Sequence, residues 1–323
     1  MEKYAILTYR AKGILLFPNF KQQKETAMEL RDLEYFLAIA REGSLTGAAR
    51  ILHLSQPGIT RSLKTLEEEL GKQLVIRGNR SISLTEEGMI LRRRAQELLS
   101  LAERTRNEIA SPDTVIEGDI FLCAGETRGL HYLTRAAKAL LQEHPKVRFH
   151  ISSGDRTDVT EELEKGMIDF GLLLSPIDGT RYDHLLLPYE ERWGILMRKD
   201  APLASQDTVH PRDLIGKPLI LPRGGDYANT GSRILGLSAR ELNIQATYNL
   251  IFNASLMAAD GIGYVVGLDQ ILELCEQSPL CFRSLDPPVT GRMNVVWKKY
   301  QIMSHQARAF LEKIRLLAAP PEP

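Results

Sequence analysis

Gln56, Thr60, Arg61 and Lys64 are spaced so that one helical face would carry an amide, a hydroxyl, a guanidinium and an ammonium near its start. These side chains can donate to base edges and phosphates: Gln can pair bidentately with adenine, Arg with guanine, and the point charge of Lys suits phosphate. The stretch that holds them, SQPGITRSLKTLEEELG from Ser55 to Gly71, has a second surface to satisfy. Ile59, Leu63, Leu66 and Leu70 recur at spacings of four, three and four, an apolar stripe that must pack against other helices. Ser55 is placed as N-cap, and Pro57 is tolerated in the first turn. Read singly, Lys64 and Arg61 are equally well ordinary solvated helix charges and Thr60 a neutral surface residue; the neighbouring elements decide.

A helix is predicted from about Leu30 to Arg41, with Leu33, Phe36, Leu37 and Ala40 on its buried side and Gly43 ending it. Ser44 then caps a second helix bearing Leu45, Ala48, Ala49 and Leu52, whose small residues allow close approach. The short turn at His53 and Leu54 joins it to the Ser55 helix, which makes a helix-turn-helix at about 45–64. After Gly71, QLVIRGNRSISLT gives two β-like pieces with Arg77 and Arg80 at the tip of a hairpin, a wing. Thr85, Glu86 and Glu87 signal another helix start, and Leu91, Ala95, Leu98, Ala102, Thr105 and Ile109 follow at alternating spacings of four and three. Those are heptad positions, and such a seam calls for the same helix from a second copy of the chain. Arg92, Arg93 and Arg94 read as a solvated face of this helix, and Ser111 and Pro112 end it.

The totals bound the rest. A chain of 323 residues is long enough for two or three domains, and its 41 basic and 41 acidic residues cancel, so any basic surface is local. Between Leu30 and Ala95 there are eleven Lys and Arg against eight Asp and Glu. Three cysteines, Cys123, Cys275 and Cys281, are too few and too irregular for a disulfide framework and point to a reducing, cytoplasmic setting. No apolar run approaches the roughly 20 residues a bilayer span needs. Residues 1–27 lack a periodic apolar face and are expected to be a disordered or mis-started extension rather than a DNA-reaching arm.

From Gly118 onward strands and helices alternate. DIFLCA, VRFHIS, IDFGLLL, WGILMR, PLILP, QATYNLI, IGYVV and MNVVW read as strands; helices are suggested at Leu130 to His144, Thr157 to Gly166, Ala228 to Leu242, Asn253 to Asp260 and Ser304 to Leu317. Alternation of this kind means α/β layers with ligands held beyond the carboxyl ends of strands.

The run DLEYFLAIAREGSLTGAARILHLSQPGITRSLKTLEEELGKQLVIR, followed by SLTEEG, resembles the LysR-type transcriptional regulators almost position by position, and IDFGLLL, DAPLA, PLILPRGG, MAADGIGYVV and VVWKK are similar, in order, to that family's effector domain. The resemblance implies an N-terminal winged helix-turn-helix and long linker helix, followed by a two-lobed α/β effector domain like the periplasmic binding proteins. The expected boundaries are 28–87 for the DNA-binding domain, 88–112 for the linker helix and 115–320 for the effector domain. Within the last, lobe I is about 115–187 and 290–320 and lobe II about 188–289. It implies that Ser55, Gln56, Pro57, Thr60, Arg61 and Lys64 meet the major groove, and that Arg77 and Arg80 touch backbone or minor groove. It implies an effector between the lobes, at Thr127, Ser153 with Gly154, Pro222, Arg223 and Gly224, and Asn253 with Ser255, where Arg223 would supply charge. Helix capping is the competing reading for each of those Ser and Thr residues. The chain departs from the common pattern at Glu126 and Arg128, and at Gly267, where a proline often stands. The partners implied are double-stranded DNA with a dyad-symmetric site, a small-molecule effector, a second copy of the chain in a dimer or tetramer, and RNA polymerase; no membrane, metal or cofactor is expected.

Three rivals compete with that reading. A redox-sensing regulator would use Cys275 and Cys281, but neither has a basic residue beside it in sequence. An enzyme would need a GxSxG elbow, a phosphate-binding glycine loop or Cys and His at zinc spacing, and the chain has none of these. A cytoplasmic binding protein without a DNA role would leave the N-terminal module unexplained.

Overall fold

The computed structural model describes residues 28–78, 81–110, 116–224 and 227–319. The chain divides between Ala102 and Glu103 into two compact units. Residues 1–27, Arg80, Ser111 and Pro112, to which the sequence assigned an extension, a wing tip and a boundary, lie outside the described residues.

In the first unit, α1 (Leu30–Glu42), α2 (Leu45–Ile51) and α3 (Gln56–Leu70) are followed by β1 (Val75–Arg77), β2 (Ile82–Leu84) and α4 (Glu86–Ala110). Gly43 ends α1 in the left-handed region at φ 58°, and the Ser44 side chain accepts from the Gly47 N–H to start α2. Leu33, Phe36 and Ile39 of α1, Ala48 and Ala49 of α2 and Ile59, Leu63 and Leu66 of α3 form one buried core. Leu70, expected on that stripe, is 43% exposed because Gly71 at φ 63° turns the chain away. Thr85 caps α4 by accepting from the Gly88 N–H at 3.0 Å. At Gly88 a Cβ would stand 2.1 Å from the Leu74 carbonyl oxygen, so the close approach of α4 to the strand before it requires glycine.

The heptad reading of α4 needs correction at its first two positions. Leu91 and Ala95 are buried in the core just described, 9% and 0% exposed, and are consumed by packing within the chain. The spacing repeats because a helix lying on its own domain needs the same stripe as one lying on a partner. Leu98 and Ile109 remain exposed, at 42% and 81%.

The second unit is built on a sheet whose strands run in the order β4-β3-β5-β12-β6-β10-β8-β9. In chain order its elements are β3 (Gly118–Ala124), α5 (Leu130–Glu143), β4 (Val147–Ser153), α6 (Arg156–Glu164), β5 (Phe170–Leu174) and β6 (Tyr182–Arg198). They continue with β7 (Thr208–Val209), β8 (Pro218–Pro222), α7 (Tyr227–Leu235), β9 (Asn243–Tyr248), α8 (Ile251–Ala259), β10 (Tyr264–Leu268), β11 (Leu280–Leu285), β12 (Thr290–Lys298) and α9 (His305–Ala318). Alternation along β3 sends Ile120, Leu122 and Ala124 into a core with α5 and α9, and Cys123 into a second one with Val159 and Leu163 of α6, so the strand is covered on both faces.

The 17-residue β6 joins two lobes: Tyr182–Arg192 pairs with β12, and Trp193–Arg198 pairs with β10 and β11. The crossing falls at Arg192–Trp193, later than the Leu187–Pro188 boundary expected, because the strand passes through Pro188 and the charged run Glu190–Arg192 without breaking. The helix expected to reach Leu242 ends at Leu235, where Gly236 at φ 64° stops it. Strand β11 and the first part of β6 carry too little alternation to read from sequence.

Candidate functional site

The Ser55 side chain accepts from the Gly58 N–H at 3.3 Å, which fixes the start of α3, and burial of Ile59, Leu63 and Leu66 fixes its rotation. What remains outside is Gln56, Pro57, Arg61 and Lys64, all exposed, with Thr60 half-buried. Thr60 donates its hydroxyl to the Gln56 carbonyl at 2.9 Å, so that oxygen is bound within the helix. Lys64 pairs with Glu68 at 3.3 Å, and with side chains 73% and 65% exposed the pair is worth about 0.3–0.5 kcal/mol, small enough to give way to a phosphate. Arg61 makes no ion pair among the described residues.

Beside this face stands the two-stranded wing, in which Val75 pairs with Leu84 and Arg77 with Ile82. Arg77 is exposed, and Arg80 lies outside the described residues. The residue that ties wing to helix was not legible: Glu67 Oε1 accepts from the N–H groups of Leu74 at 2.8 Å and Val75 at 3.4 Å. In the run Glu67–Glu69 it looks like solvated charge; only its place opposite the start of β1 shows the positioning role. Ser62 does the same on the other side, donating to Asp32 of α1 at 2.5 Å.

Between the lobes of the second unit lies a cleft of about 420 Å³. Of the eight residues expected to meet an effector, Thr127, Gly154, Pro222, Arg223 and Gly224 line it. Ser153, Asn253 and Ser255 do not. Ser153 is exposed at the end of β4 and Asn253 is exposed on α8, while Ser255, 7% exposed, donates back to the Phe252 carbonyl at 2.7 Å.

The polar groups at the rims are held by the chain itself. Thr127 donates its hydroxyl to Glu191 Oε1 and accepts from the Gly129 N–H at 2.9 Å. Glu191 is 1% exposed and was not singled out by sequence; burial pushes its carboxyl above the usual range, against the hydrogen bonds from Thr127 and Gly129. Glu126 accepts from the Ile251 N–H, the first residue of α8, so a side chain fills the helix N-terminus that an anionic effector would use. Arg223, expected to supply charge to an effector, instead pairs with Asp155 at 2.8 Å and Asp158 at 3.4 Å. Burial alone would raise the Asp155 carboxyl, but Arg223 and the N–H groups of Thr157 and Asp158 outweigh it and hold it below the usual range. Arg128 donates to Gln270 at 2.7 Å.

Gly267 has a local explanation. A Cβ there would meet Ile251 Cδ1 at 2.7 Å and the Tyr248 hydroxyl at 3.2 Å, and that hydroxyl donates to the Val266 carbonyl at 2.8 Å. The strand end is closed by tyrosine and isoleucine packing, which leaves no room for the proline ring.

A family model described as "Bacterial regulatory helix-turn-helix protein, lysR family" matches residues 30–89, and one described as "LysR substrate binding domain" matches residues 114–318. The HTH-type transcriptional regulator ClcR of Pseudomonas putida is 30% identical over 256 residues, 74% of this chain and 82% of ClcR. Among solved structures, HinK, a LysR family transcriptional regulator from Pseudomonas aeruginosa, aligns with 27% identity and a TM-score of 0.51, covering 90% of this chain and 99% of HinK. Full-length CbnR complexed with its target DNA shares the fold, with 22% identity and a TM-score of 0.65 over 90% of this chain and 100% of CbnR.

Proposed function

This chain belongs to the LysR family of transcriptional regulators, and we propose that α3 reads DNA through Gln56, Arg61 and Lys64 while a small molecule in the interlobe cleft sets the regulatory state. The observation that carries the DNA assignment is the division of α3. Its apolar stripe is buried, its N-cap is satisfied, and a polar face whose Arg61 guanidinium makes no ion pair among the described residues is left outside. CbnR is solved with its target DNA, and the corresponding reading for this chain puts α3 in the major groove with the wing residue Arg77 on the backbone or minor groove. The chain works as a homodimer or tetramer through the exposed part of α4, Leu98 to Ile109, so its site is a dyad. RNA polymerase is the further partner such a regulator acts on. No helix among the described residues is long and apolar enough to cross a membrane, and a DNA reader works in the cytoplasm.

Ligand control acts through ties between the lobes: Arg223 to Asp155 and Asp158, Glu126 to the start of α8, and Arg128 to Gln270. A ligand that prefers one lobe arrangement shifts the population by its difference in affinity for the two. The redox alternative has no support in the geometry: Cys275 is exposed, Cys281 is buried on β11, and both are free cysteines. The enzyme reading has no support in the comparisons, whose matches are transcriptional regulators.

The test is competition binding of the full chain to its dyad site and to a scrambled duplex at moderate salt. Arg61→Ala is expected to lose about 1–3 kcal/mol of discrimination against the scrambled sequence. Equal binding of both duplexes by the unmodified chain would overturn the assignment.

A further inference from the structure

Glu191 carries a buried polar atom that the chain leaves without a partner. Its Oε1 accepts from the Thr127 hydroxyl and, at 3.4 Å, from the Gly129 N–H, whereas its Oε2 is buried and makes no hydrogen bond among the described residues. An ionised carboxylate can accept at both oxygens, so half of that capacity goes unused where an unmet acceptor is costly. Burial accordingly raises the carboxyl pKa, against the hydrogen bonds from Thr127 and from the N–H groups of Gly129 and Arg128.

No cation compensates it. Glu191 lies on β6 opposite Gly291 of β12, which offers no side chain, and the next residue on β12, Arg292, is exposed. Its strand neighbours Glu190 and Arg192 are exposed, turned to the other face by the alternation of β6. On the loop after β3, Glu126 accepts from the Ile251 N–H and Arg128 donates to Gln270. Tyr189 is the titratable neighbour on the same face of β6, its own pKa raised by burial and by the Glu191 charge, with Asp269 of the loop after β10 adding to that.

Thr127, which lines the cleft, has a single hydroxyl proton. It is donated to Glu191, and one lone pair of its oxygen is taken by the Gly129 N–H at 2.9 Å, so what Thr127 offers the cleft is an acceptor. A proton taken from solvent onto Glu191 Oε1 reverses this. The new carboxyl O–H donates to Thr127 Oγ1, and the hydroxyl proton of Thr127 is released to turn toward the cleft.

We propose that Glu191 is a positioning residue that sets the hydrogen-bond polarity of Thr127: ionised, it makes Thr127 an acceptor for a ligand N–H or O–H; protonated, it makes Thr127 a donor. The inference rests on the cleft being the effector site and adds a proton-operated selection at one of its residues. A ligand group that needs a donor from Thr127 binds with uptake of a proton, and one that donates to Thr127 binds without it.

The experiment is an infrared titration of the full chain from about pH 8 to about pH 4, following the carbonyl stretch of the protonated carboxyl that Glu191→Gln removes. Its midpoint is expected above the roughly 4.3 of a solvated Glu. Thr127→Val takes away the donor that favours the ionised form and is expected to raise the midpoint by about 1–2 pH units. Thr127→Ser keeps the hydroxyl and is expected to leave the midpoint in place. Should Glu191→Gln not fold, the band that moves in Thr127→Val and stays in Thr127→Ser identifies the carboxyl. A midpoint at the solvated value, or one that is the same in Thr127→Val as in Thr127→Ser, overturns the proposal. The band is read without ligand, so that failure is separate from failure of the cleft reading.

Discussion

Lys64 and Arg61 lie one helical turn apart on α3, yet they carry different tests. Lys64 already shares its charge with Glu68 across 3.3 Å in solvent, so it suits a delocalised phosphate rather than a base edge. Lys64→Ala should weaken binding to every duplex alike and reduce the slope of log K against log salt by about 1, measured by titration at several salt concentrations. A change in sequence preference would contradict that role. At this scale the sequence was most legible where one residue serves one surface: Ser55, Ile59, Leu63 and the exposed Gln56 follow from spacing alone. It was least legible where the partner is distant in the chain. Glu67 on the N–H groups of Leu74 and Val75, and Glu191 under Thr127, show no local pattern, and Arg223 was assigned to a ligand because the carboxylates facing it lie about 65 residues away.

At the scale of elements, α4 shows how one periodicity can serve two purposes. Ala95 is fully buried in the core with α1 and α3, and Ile109 is 81% exposed. Ala95→Glu would bury a charge without a partner and is expected to unfold the first unit. Ile109→Glu should leave the melting temperature unchanged and lower the mass of the assembly in light scattering; an unchanged mass would remove Ile109 from the interface. The C-terminal part of α4 belongs to the second unit and is anchored there. Arg104 donates to Asp169 at 2.9 Å and to the Gly166 carbonyl at 2.9 Å, and lies 4.4 Å from the Phe121 ring centroid. Asp169 is 4% exposed; burial raises its carboxyl pKa despite Arg104 and the Phe121 N–H. Arg104→Ala should therefore cost about 3–5 kcal/mol at neutral pH by leaving that carboxylate uncompensated. The sign with pH is fixed: as pH falls Asp169 takes up a proton earlier than an ordinary carboxyl, so the penalty shrinks in acid. Thermal melts of both proteins across pH 4–8 would show it, and a pH-independent difference would contradict it.

For the whole molecule, the helix-turn-helix order and the α/β alternation could be read from the chain, but the arrangement of the cleft could not. Spacing reports which face of an element is apolar; it is silent about a carboxyl from one lobe reaching a helix start in the other, as Glu126 does. The ion pair of Arg223 with Asp155 holds that Asp carboxyl below its ordinary range, so its stabilising contribution is present above the unfolded value of about 3.9 and is lost as pH falls through the lower folded value. Arg223→Ala should remove this acid-dependent component and make the lobes easier to separate, read as faster hydrogen exchange at the start of α6; unchanged exchange would show that the pair does not hold the lobes.

The central claim, that α3 reads sequence as part of a symmetric assembly, is tested most directly by selecting binding sites for the full chain from a random duplex library at about physiological salt. The selected sites are predicted to converge on an inverted repeat whose enrichment disappears with Arg61→Ala. Convergence on no sequence, or on an asymmetric one retained by Arg61→Ala, would contradict it.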